Sequence, residues 1–202
     1  MSKIKICGLS RIVDIEAVNQ VLPDFIGFVF APSRRRVDVK TATMLKEKLD
    51  SCIKAVGVFV NEEIGSIAKL YQNGVIDMVQ LHGDENDEYI KRLKENCGCC
   101  VIKAVGVGSL LPPLPLEADY LLFDTLSLAR GGVGIPFDWS ILKGYSGLPY
   151  FLAGGLSIEN IADALNILSP YCVDVSSGVE TDGVKDAEKI EKIVCFIRSM
   201  RV

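Results

Sequence analysis

The segment Tyr150-Phe151-Leu152-Ala153-Gly154-Gly155 is a short apolar run that ends in a glycine pair, and Val173-Asp174-Val175-Ser176-Ser177-Gly178 is a second run that ends in two serines and a glycine. Runs of this length and composition are typical of strands. Between them, Ile158–Leu168 has apolar residues at the spacing of a helix. Strand, helix and strand in this order form a unit of two parallel strands. The pattern therefore predicts a parallel sheet whose last two strands each lead into a loop of small residues.

The same alternation of strand and helix recurs along the whole chain. Eight short runs of β-branched and aliphatic residues are predicted to be strands: Lys3–Cys7, Phe25–Phe30, Ala55–Val60, Met78–Leu81, Val101–Val105, Tyr120–Phe123, Tyr150–Ala153 and Val173–Val175. Helical spacing fills most of the intervals: Asp14–Leu22, Ala42–Leu49, Glu62–Gln72, Glu88–Lys94, Ile158–Leu168 and Ala187–Met200. Eight units in 202 residues leave about 25 residues each, which suits a compact α/β fold of the (β/α)8 TIM barrel type. A doubly wound open sheet is the alternative.

Two of the connections are predicted to lack a regular helix. Leu111-Pro112-Pro113-Leu114-Pro115 lies in the fifth, and its prolines donate no backbone hydrogen bond. Gly131-Gly132-Val133-Gly134-Ile135-Pro136 lies in the sixth and is a candidate lid over a ligand. Because no linker or change of composition marks a boundary, we expect one domain over residues 1–202.

Composition excludes several classes of function. Hydrophobic residues make up 49% of the chain, which is too many for a disordered protein. The balance of 22 Lys and Arg against 26 Asp and Glu gives a net charge of −4, so no nucleic-acid partner is expected. No apolar run approaches the roughly 20 residues of a membrane-spanning helix, so no membrane partner is expected. An odd count of seven cysteines, and no apolar leader after Met1, favour a cytoplasmic location.

Cys7 is the first candidate catalytic residue. Alternation along the first strand places Lys5 and Cys7 on one face, with Ile4 and Ile6 on the other. In a closed barrel the face of Lys5 and Cys7 points inward, so Cys7 lies at the C-terminal mouth with a cation one layer below it that favours the thiolate. Taken alone, a cysteine at a strand end is more often a small buried hydrophobic residue.

Two more polar residues end predicted strands at the same mouth. Asp124 ends the sixth run, where a cap of a turn or helix is the alternative interpretation. His82, the only histidine, ends the fourth run, and a lone histidine is more often a hydrogen-bonded structural residue than a catalyst. No spacing of Cys, His and Asp around it resembles a metal site, and Cys97–Cys100 lacks a second half at zinc-ligand spacing. We therefore predict no metal.

The loops that follow the seventh and eighth strands predict a phosphate site. In TIM barrels these loops form the usual phosphate cradle. The glycines Gly154 and Gly155 allow backbone N–H groups to approach an anion, and Ser176 and Ser177 add donors. The arginines of Arg34-Arg35-Arg36 follow the second strand, where one of them is placed to bind a carboxylate or phosphate in bidentate fashion. The expected ligand is a phosphosugar.

A series of short motifs follows this order along the chain: Lys5-Ile6-Cys7-Gly8, Gly27-Phe28-Val29-Phe30, Ser33-Arg34-Arg35, Gly57-Val58-Phe59-Val60-Asn61, Gln80-Leu81-His82-Gly83, Lys103-Ala104-Val105, Phe123-Asp124-Thr125, Gly131-Gly132-Val133-Gly134, Phe137-Asp138-Trp139, Ala153-Gly154-Gly155-Leu156 and Asp174-Val175-Ser176-Ser177-Gly178-Val179-Glu180. In order and spacing, the series resembles the phosphoribosylanthranilate isomerase family of tryptophan biosynthesis from end to end. One departure is Ile135-Pro136, where the family commonly has Lys-Thr, so contacts of the lid loop with ligand are in question.

The resemblance implies an Amadori rearrangement of N-(5-phosphoribosyl)anthranilate to 1-(2-carboxyphenylamino)-1-deoxyribulose 5-phosphate, with no cofactor and no metal. It implies that Asp124 is the general acid that protonates the furanose ring oxygen, and that Cys7 is the general base that removes the proton from C2 of the sugar. Because a free thiol is mostly protonated at neutral pH, either Lys5 or the bound substrate is expected to lower the pKa of Cys7.

Substrate-binding residues also follow from the resemblance. Arg35 aligns with the arginine that the family uses on the anthranilate carboxylate, with Arg36 as the alternative one position on. Asp174 is placed to contact sugar hydroxyls or to order the loops, and His82 supports the mouth without transferring a proton. The phosphate is held largely by backbone donors of the four loop residues: Gly154, Gly155, Ser176 and Ser177.

Two classes of alternative remain open at this stage. The first is a sister phosphosugar barrel. An imidazole-ribonucleotide isomerase would be expected to have an Asp at the end of the first strand, where this chain has Cys7. An indole-glycerol-phosphate synthase resembles a longer chain with a catalytic lysine and glutamates at several strand ends, which this sequence does not show. The second is a barrel that binds a phosphosugar without catalysis, whose signature is loss of Cys7 or Asp124. Both a monomer and a homodimer are compatible with the sequence.

Overall fold

Eight parallel strands close into a barrel in the computed structural model, which describes residues 2–126 and 136–200. Each strand pairs with the next along the chain, and the last pairs with the first. The strands are β1 Lys3–Cys7, β2 Phe25–Val29, β3 Lys54–Phe59, β4 Met78–Leu81, β5 Val101–Val107, β6 Tyr120–Thr125, β7 Tyr150–Leu152 and β8 Cys172–Val175. The barrel prediction is confirmed, and the open sheet is wrong.

Six α-helices lie in the described part of the chain: α1 Ile12–Val21, α2 Val39–Lys48, α3 Ile64–Gln72, α4 Asp87–Cys97, α5 Ile161–Ile167 and α6 Ala187–Ser199. Side-chain caps fix several of their starts. Asn86 accepts a hydrogen bond from the backbone N–H of Tyr89, and Asp186 accepts from Glu188 and Lys189. Such caps satisfy N–H groups that have no partner inside the helix, so these residues begin helices where the apolar spacing begins.

The fifth connection has no helix, as its prolines predict: residues 108–119 run from β5 to β6 without one. In the sixth, the described part contains only a 3-10 turn, Trp139–Leu142. The predicted lid, with Gly131, Gly132 and Gly134, lies outside the described residues together with Ile135. β5 and β6 extend beyond their predicted ends because Gly106 pairs with Asp124 in register.

The barrel wall separates two layers of side chains. Ile4 and Ile6 belong to the large apolar cluster between the wall and the helices. Inside the barrel, a smaller cluster at the N-terminal end includes Phe25 and Phe151, whose ring centroids are 5.5 Å apart. Lys5 is fully buried inside the barrel and hydrogen-bonded to Asp174 of the adjacent strand β8, so the predicted alternation along β1 is confirmed. Because this apolar cluster fills the N-terminal end of the barrel, the polar groups lie at the C-terminal mouth.

Candidate active site

A cavity of about 810 Å³ opens at the C-terminal mouth of the barrel. Its size falls in the range of small-molecule sites, roughly 300–1,000 Å³. The lining includes all nine residues that the sequence singles out for the site: Cys7, Arg35, His82, Asp124, Gly154, Gly155, Asp174, Ser176 and Ser177. Closure of the barrel brings these residues together from six strands and the loops that follow them.

Cys7 ends β1 above a buried ion pair. The side chain of Lys5 donates to both carboxylate oxygens of Asp174, at 3.0 Å and 2.9 Å. Burial is the largest single effect and lowers the pKa of Lys5, but the attractions and hydrogen bonds of Asp174 and Cys7 together outweigh it and hold that pKa above its ordinary value. The charge of Lys5 is therefore already compensated within the protein.

Lys5 lowers the pKa of Cys7, as expected, but the net pKa of this thiol is raised. Burial raises the pKa of the Cys7 thiol, and this effect exceeds the lowering by Lys5. Asp174 acts in the same direction as burial because its negative charge disfavours a thiolate. Only 8% of Cys7 is exposed, so water does little to stabilise the ionised form. The thiol is protonated at neutral pH unless a ligand changes its surroundings.

Arg35 reaches the cavity from the loop after β2. Its guanidinium binds Glu180 through two hydrogen bonds, with Nε 2.6 Å from Oε1 and Nη2 2.9 Å from Oε2. The side chain lies against Gly8, where φ is +85° and a Cβ would collide with Arg35. Arg36 is exposed and is not part of the cavity lining. Of the two alternatives, the structure therefore places Arg35, and not Arg36, at the site.

Glu180 and Lys185 were not singled out by the sequence reasoning, yet both are buried beside Arg35. Lys185 donates to Glu180 Oε1 at 2.8 Å and to the carbonyl oxygen of Ser176 at 2.8 Å. Burial lowers the pKa of Lys185 in spite of this ion pair. The signal that predicts this pair is Asp182-Gly183, a two-residue hairpin turn between β9 Glu180–Thr181 and β10 Val184–Lys185.

Asp124, His82 and Gln80 form a chain of polar side chains across the mouth. His82 Nε2 is 3.4 Å from Asp124 Oδ2, and His82 Nδ1 is 3.0 Å from Gln80 Nε2. The other oxygen of Asp124 accepts the backbone N–H of Thr125 at 2.8 Å. Gln80 was also missed by the sequence reasoning, although a polar residue in a buried strand is its signal.

A second buried ion pair anchors the loop that carries His82. Lys103 Nζ lies 2.8 Å from Glu85 Oε2 and also donates to the carbonyl oxygen of Gly83 at 2.7 Å. Glu85 accepts the backbone N–H groups of Gly83, at 2.9 Å, and Asn61, at 2.6 Å. These bonds fix the backbone on one side of His82 and so limit the positions that its ring can take.

The loops after β7 and β8 provide backbone donors. Gly154 and Gly155 have φ values of +84° and +67°, and a Cβ at Gly154 would lie 2.8 Å from the backbone nitrogen of Thr125. Neither glycine N–H donates to an acceptor within the described residues. Ser176 and Ser177 follow β8, and the hydroxyl of Ser176 donates to the carbonyl oxygen of Cys7 at 3.1 Å. The geometry suits close approach of an anion.

A family model decides what kind of protein this is. The model of N-(5'-phosphoribosyl)anthranilate (PRA) isomerase matches residues 4–195. The chain belongs to this family. A relative named N-(5'-phosphoribosyl)anthranilate isomerase, from Endomicrobium trichonymphae, is 50% identical over 201 residues, which cover 99% of this chain and 100% of the relative. The sister-barrel alternatives are therefore set aside, and the chain is an enzyme of the phosphoribosylanthranilate isomerase family.

Solved structures of the same family share this fold. Phosphoribosyl anthranilate isomerase from Thermotoga maritima is 34% identical with a TM-score of 0.85, over 98% of this chain and 100% of that one. Another structure of a phosphoribosyl anthranilate isomerase contains reduced 1-(o-carboxyphenylamino)-1-deoxyribulose 5-phosphate; it is 32% identical with a TM-score of 0.83, over 98% of this chain and 100% of that one.

Within residues 2–126 and 136–200, no helix is long and apolar enough to span a membrane, and no group of His, Cys, Asp and Glu is arranged to hold a metal ion.

Proposed function

We propose that this enzyme catalyses the Amadori rearrangement of N-(5'-phosphoribosyl)anthranilate to 1-(2-carboxyphenylamino)-1-deoxyribulose 5-phosphate in tryptophan biosynthesis. The observation that carries the proposal is the shared cavity of Cys7 and Asp124, which Arg35 and the two glycine and serine loops also line. A reduced form of this product occupies one structural relative, so the family site accepts a carboxylate, a sugar chain and a phosphate in one ligand. The cavity offers groups of matching chemistry for each of the three.

Asp124 is the general acid in this proposal. Its proton passes to the furanose ring oxygen while the bond between C1 and that oxygen breaks, and the lone pair of the anthranilate nitrogen forms the C1–N double bond of a Schiff base. The backbone N–H of Thr125 supports one oxygen of the resulting carboxylate. The contact with His82 at 3.4 Å lies at the other oxygen.

Cys7 is the general base. Its thiolate removes the proton from C2, the C–H electron pair forms the C1–C2 double bond, and the Schiff-base electrons return to nitrogen to give an enolamine. The enolamine then tautomerises to the ketose. Because its pKa is raised, the thiolate is a minor species but a strong base once it forms. Because burial outweighs the lowering of this pKa by Lys5, further activation falls to the bound substrate.

Arg35 binds the anthranilate carboxylate with its planar guanidinium. Glu180 holds that guanidinium in place through two hydrogen bonds, so less conformational entropy of the arginine side chain is lost when the substrate binds. Glu180 itself is shared among three cations, since Arg34 and Lys185 also pair with it. One carboxylate and three cations leave a positive cluster, which attracts an anionic substrate.

The remaining groups position the phosphate and the sugar. Gly154 and Gly155 supply backbone N–H donors to the phosphate, and the loop at Ser176 and Ser177 completes the cradle. Asp174 is placed to accept hydrogen bonds from sugar hydroxyls while it remains paired with Lys5. The seven cysteines are all free thiols, which supports a cytoplasmic location.

Activity is tested by generating phosphoribosylanthranilate in situ and following the loss of its anthranilate-type fluorescence. Rapid decay is expected with wild-type protein, and a fall of about 10²–10⁴-fold with Cys7→Ala or Asp124→Asn, because each removes a proton-transfer group. Cys195→Ala and Asp163→Asn are the matched controls, since both positions are exposed and outside the cavity. No decay with folded wild-type protein that still binds the phosphosugar would support the non-catalytic alternative.

A further inference from the structure

Gln80 is a buried polar residue of the mouth that the reaction scheme does not use. It is the third residue of β4, is 2% exposed and lines the cavity. Its amide nitrogen lies 3.0 Å from His82 Nδ1, whereas its Oε1 accepts no hydrogen bond from any residue in the described ranges. An unpaired buried oxygen costs free energy, so we attribute the burial of this amide to the contact that its nitrogen makes with His82.

The contact with Gln80 determines where the imidazole carries its proton. An amide nitrogen only donates, so the atom it faces, His82 Nδ1, must present a lone pair. A neutral imidazole with a lone pair on Nδ1 has its proton on Nε2. Nε2 lies 3.4 Å from Asp124 Oδ2, so that proton faces the carboxyl group.

We propose that Gln80 is a positioning residue that fixes His82 in the Nε2–H form, so that His82 donates a hydrogen bond to the carboxylate that Asp124 becomes. The proton that leaves Asp124 goes to the ring oxygen, and His82 keeps its own proton throughout. As negative charge develops on Oδ2, the distance from Nε2 is expected to shorten from 3.4 Å. The inference rests on the proposed function only in taking Asp124 as the general acid.

The backbone around Asp124 agrees with this role. Thr125 N–H already donates to Oδ1, so an Nε2–H at Oδ2 gives each oxygen of the new carboxylate one donor. In the opposite form, with the proton on Nδ1, the amide of Gln80 must turn by half a rotation to offer Oε1. Nε2 would then present a lone pair to the carboxylate, which disfavours the charge that the reaction creates there.

Nuclear magnetic resonance of histidine tests the first step without reference to activity. His82 is the only histidine, so protein labelled with ¹⁵N-histidine gives one pair of ring-nitrogen signals. The expected spectrum at neutral pH has Nε2 in the protonated range and Nδ1 in the unprotonated range. A proton on Nδ1, or on both nitrogens, would overturn the proposal.

Two variants test whether Gln80 determines which ring nitrogen of His82 carries the proton. Gln80→Met keeps the length of the side chain without its hydrogen bonds, and Gln80→Glu offers only acceptors, which forces a proton onto Nδ1. Gln80→Glu is expected to move the Nδ1 signal toward the protonated range. Both variants are expected to lower kcat by about tenfold, the size of one hydrogen bond, with KM changed less than about twofold. Gln72→Met, at an exposed position of α3, is the matched control and is expected to change neither.

A double-variant cycle separates this role from a merely structural one. If Gln80 acts through His82, then Gln80→Met is expected to lower kcat further by less than about twofold when His82→Ala is already present. An equal, tenfold loss in both backgrounds would contradict the proposal. Asp124→Asn that kept full activity would instead overturn the assignment of the acid, and the ¹⁵N spectrum would still decide the form of His82.

Discussion

The two sides of the barrel mouth support their reactive groups in different ways. Beneath Cys7, Lys5 and Asp174 form a buried ion pair with both carboxylate oxygens engaged. Behind Asp124, the contacts run through the imidazole of His82 to the amide of Gln80. Lys5 lowers the pKa of Cys7, the proposed base, but burial and the negative charge of Asp174 raise it by more. Asp124, the proposed acid, instead lies beside the backbone N–H of Thr125 and the imidazole of His82.

The largest effect on stability is expected when one partner of the buried ion pair beneath Cys7 is removed. Lys5→Met leaves Asp174 buried without its partner, and we expect the free energy of unfolding to fall by about 3–5 kcal/mol. Urea denaturation followed by circular dichroism measures it. The comparable change on the side of Asp124, Gln80→Met, is expected to cost about 1 kcal/mol. Adding Asp174→Leu to Lys5→Met removes the unpaired charge and should recover much of the loss; no recovery would mean that the pair is not the cause.

The next effect concerns Arg35, the proposed partner of the substrate carboxylate. Arg35→Lys keeps the positive charge but loses the two-pronged geometry, so we expect KM for phosphoribosylanthranilate to rise about tenfold, with a smaller change in kcat. Steady-state fluorescence assays measure both constants. An unchanged KM would mean that Arg35 serves only to pair with Glu180.

A smaller effect tests the raised pKa of Cys7. The folded protein holds this thiol protonated above its ordinary pKa of 9.0, so the unfolded chain binds fewer protons at alkaline pH. The stability that the thiol contributes is present below the ordinary pKa and is lost as pH rises toward the folded one. Between about pH 8 and pH 10, the free energy of unfolding should therefore fall by about 1 kcal/mol more in wild type than in Cys7→Ala. Equal slopes would show that burial does not raise this pKa.

The smallest effect comes from the exposed end of the cationic cluster. The side chain of Arg34 is 57% exposed, against 15% for Arg35, although both pair with Glu180. We expect Arg34→Gln to change the free energy of unfolding by less than about 0.5 kcal/mol, since exposed ion pairs are screened by water and salt. Thermal unfolding in low and high salt provides the measurement, and a loss as large as that of Arg35→Gln would contradict the ranking.

Periodicity predicted the strands and helices of the barrel because each of them has its own local signal, and the length of about 25 residues per unit favoured a barrel over an open sheet. Eight apolar runs lay within a few residues of the observed strands, and the prolines at 112, 113 and 115 correctly indicated a connection without a helix. Residues at strand ends were also placed correctly, since the C-terminal ends of parallel strands in a barrel all meet at one mouth. Cys7 and Asp124 therefore share the cavity as expected.

What the sequence left out depends on pairs that only closure of the barrel creates. Lys5 lowers the pKa of Cys7 as expected, but burial raises it by more, and Asp174, 169 residues away in sequence, adds to that rise once β8 pairs with β1. Gln80 and His82 are two residues apart, yet their contact matters only because β6 brings Asp124 to the same ring. Contacts between residues that are far apart in the sequence raise or lower pKa values, and no local pattern records them.

The central claim is that proton donation and proton removal belong to opposite partners, Asp124 and Cys7. The most direct measurement is the primary deuterium isotope effect on kcat/KM with substrate deuterated at C2 of the sugar. The account predicts an isotope effect that disappears in Asp124→Asn, where ring opening becomes limiting, and that persists or grows in Cys7→Ser, where removal of the C2 proton is slowed. An effect that persisted in Asp124→Asn and disappeared in Cys7→Ser would contradict the assignment.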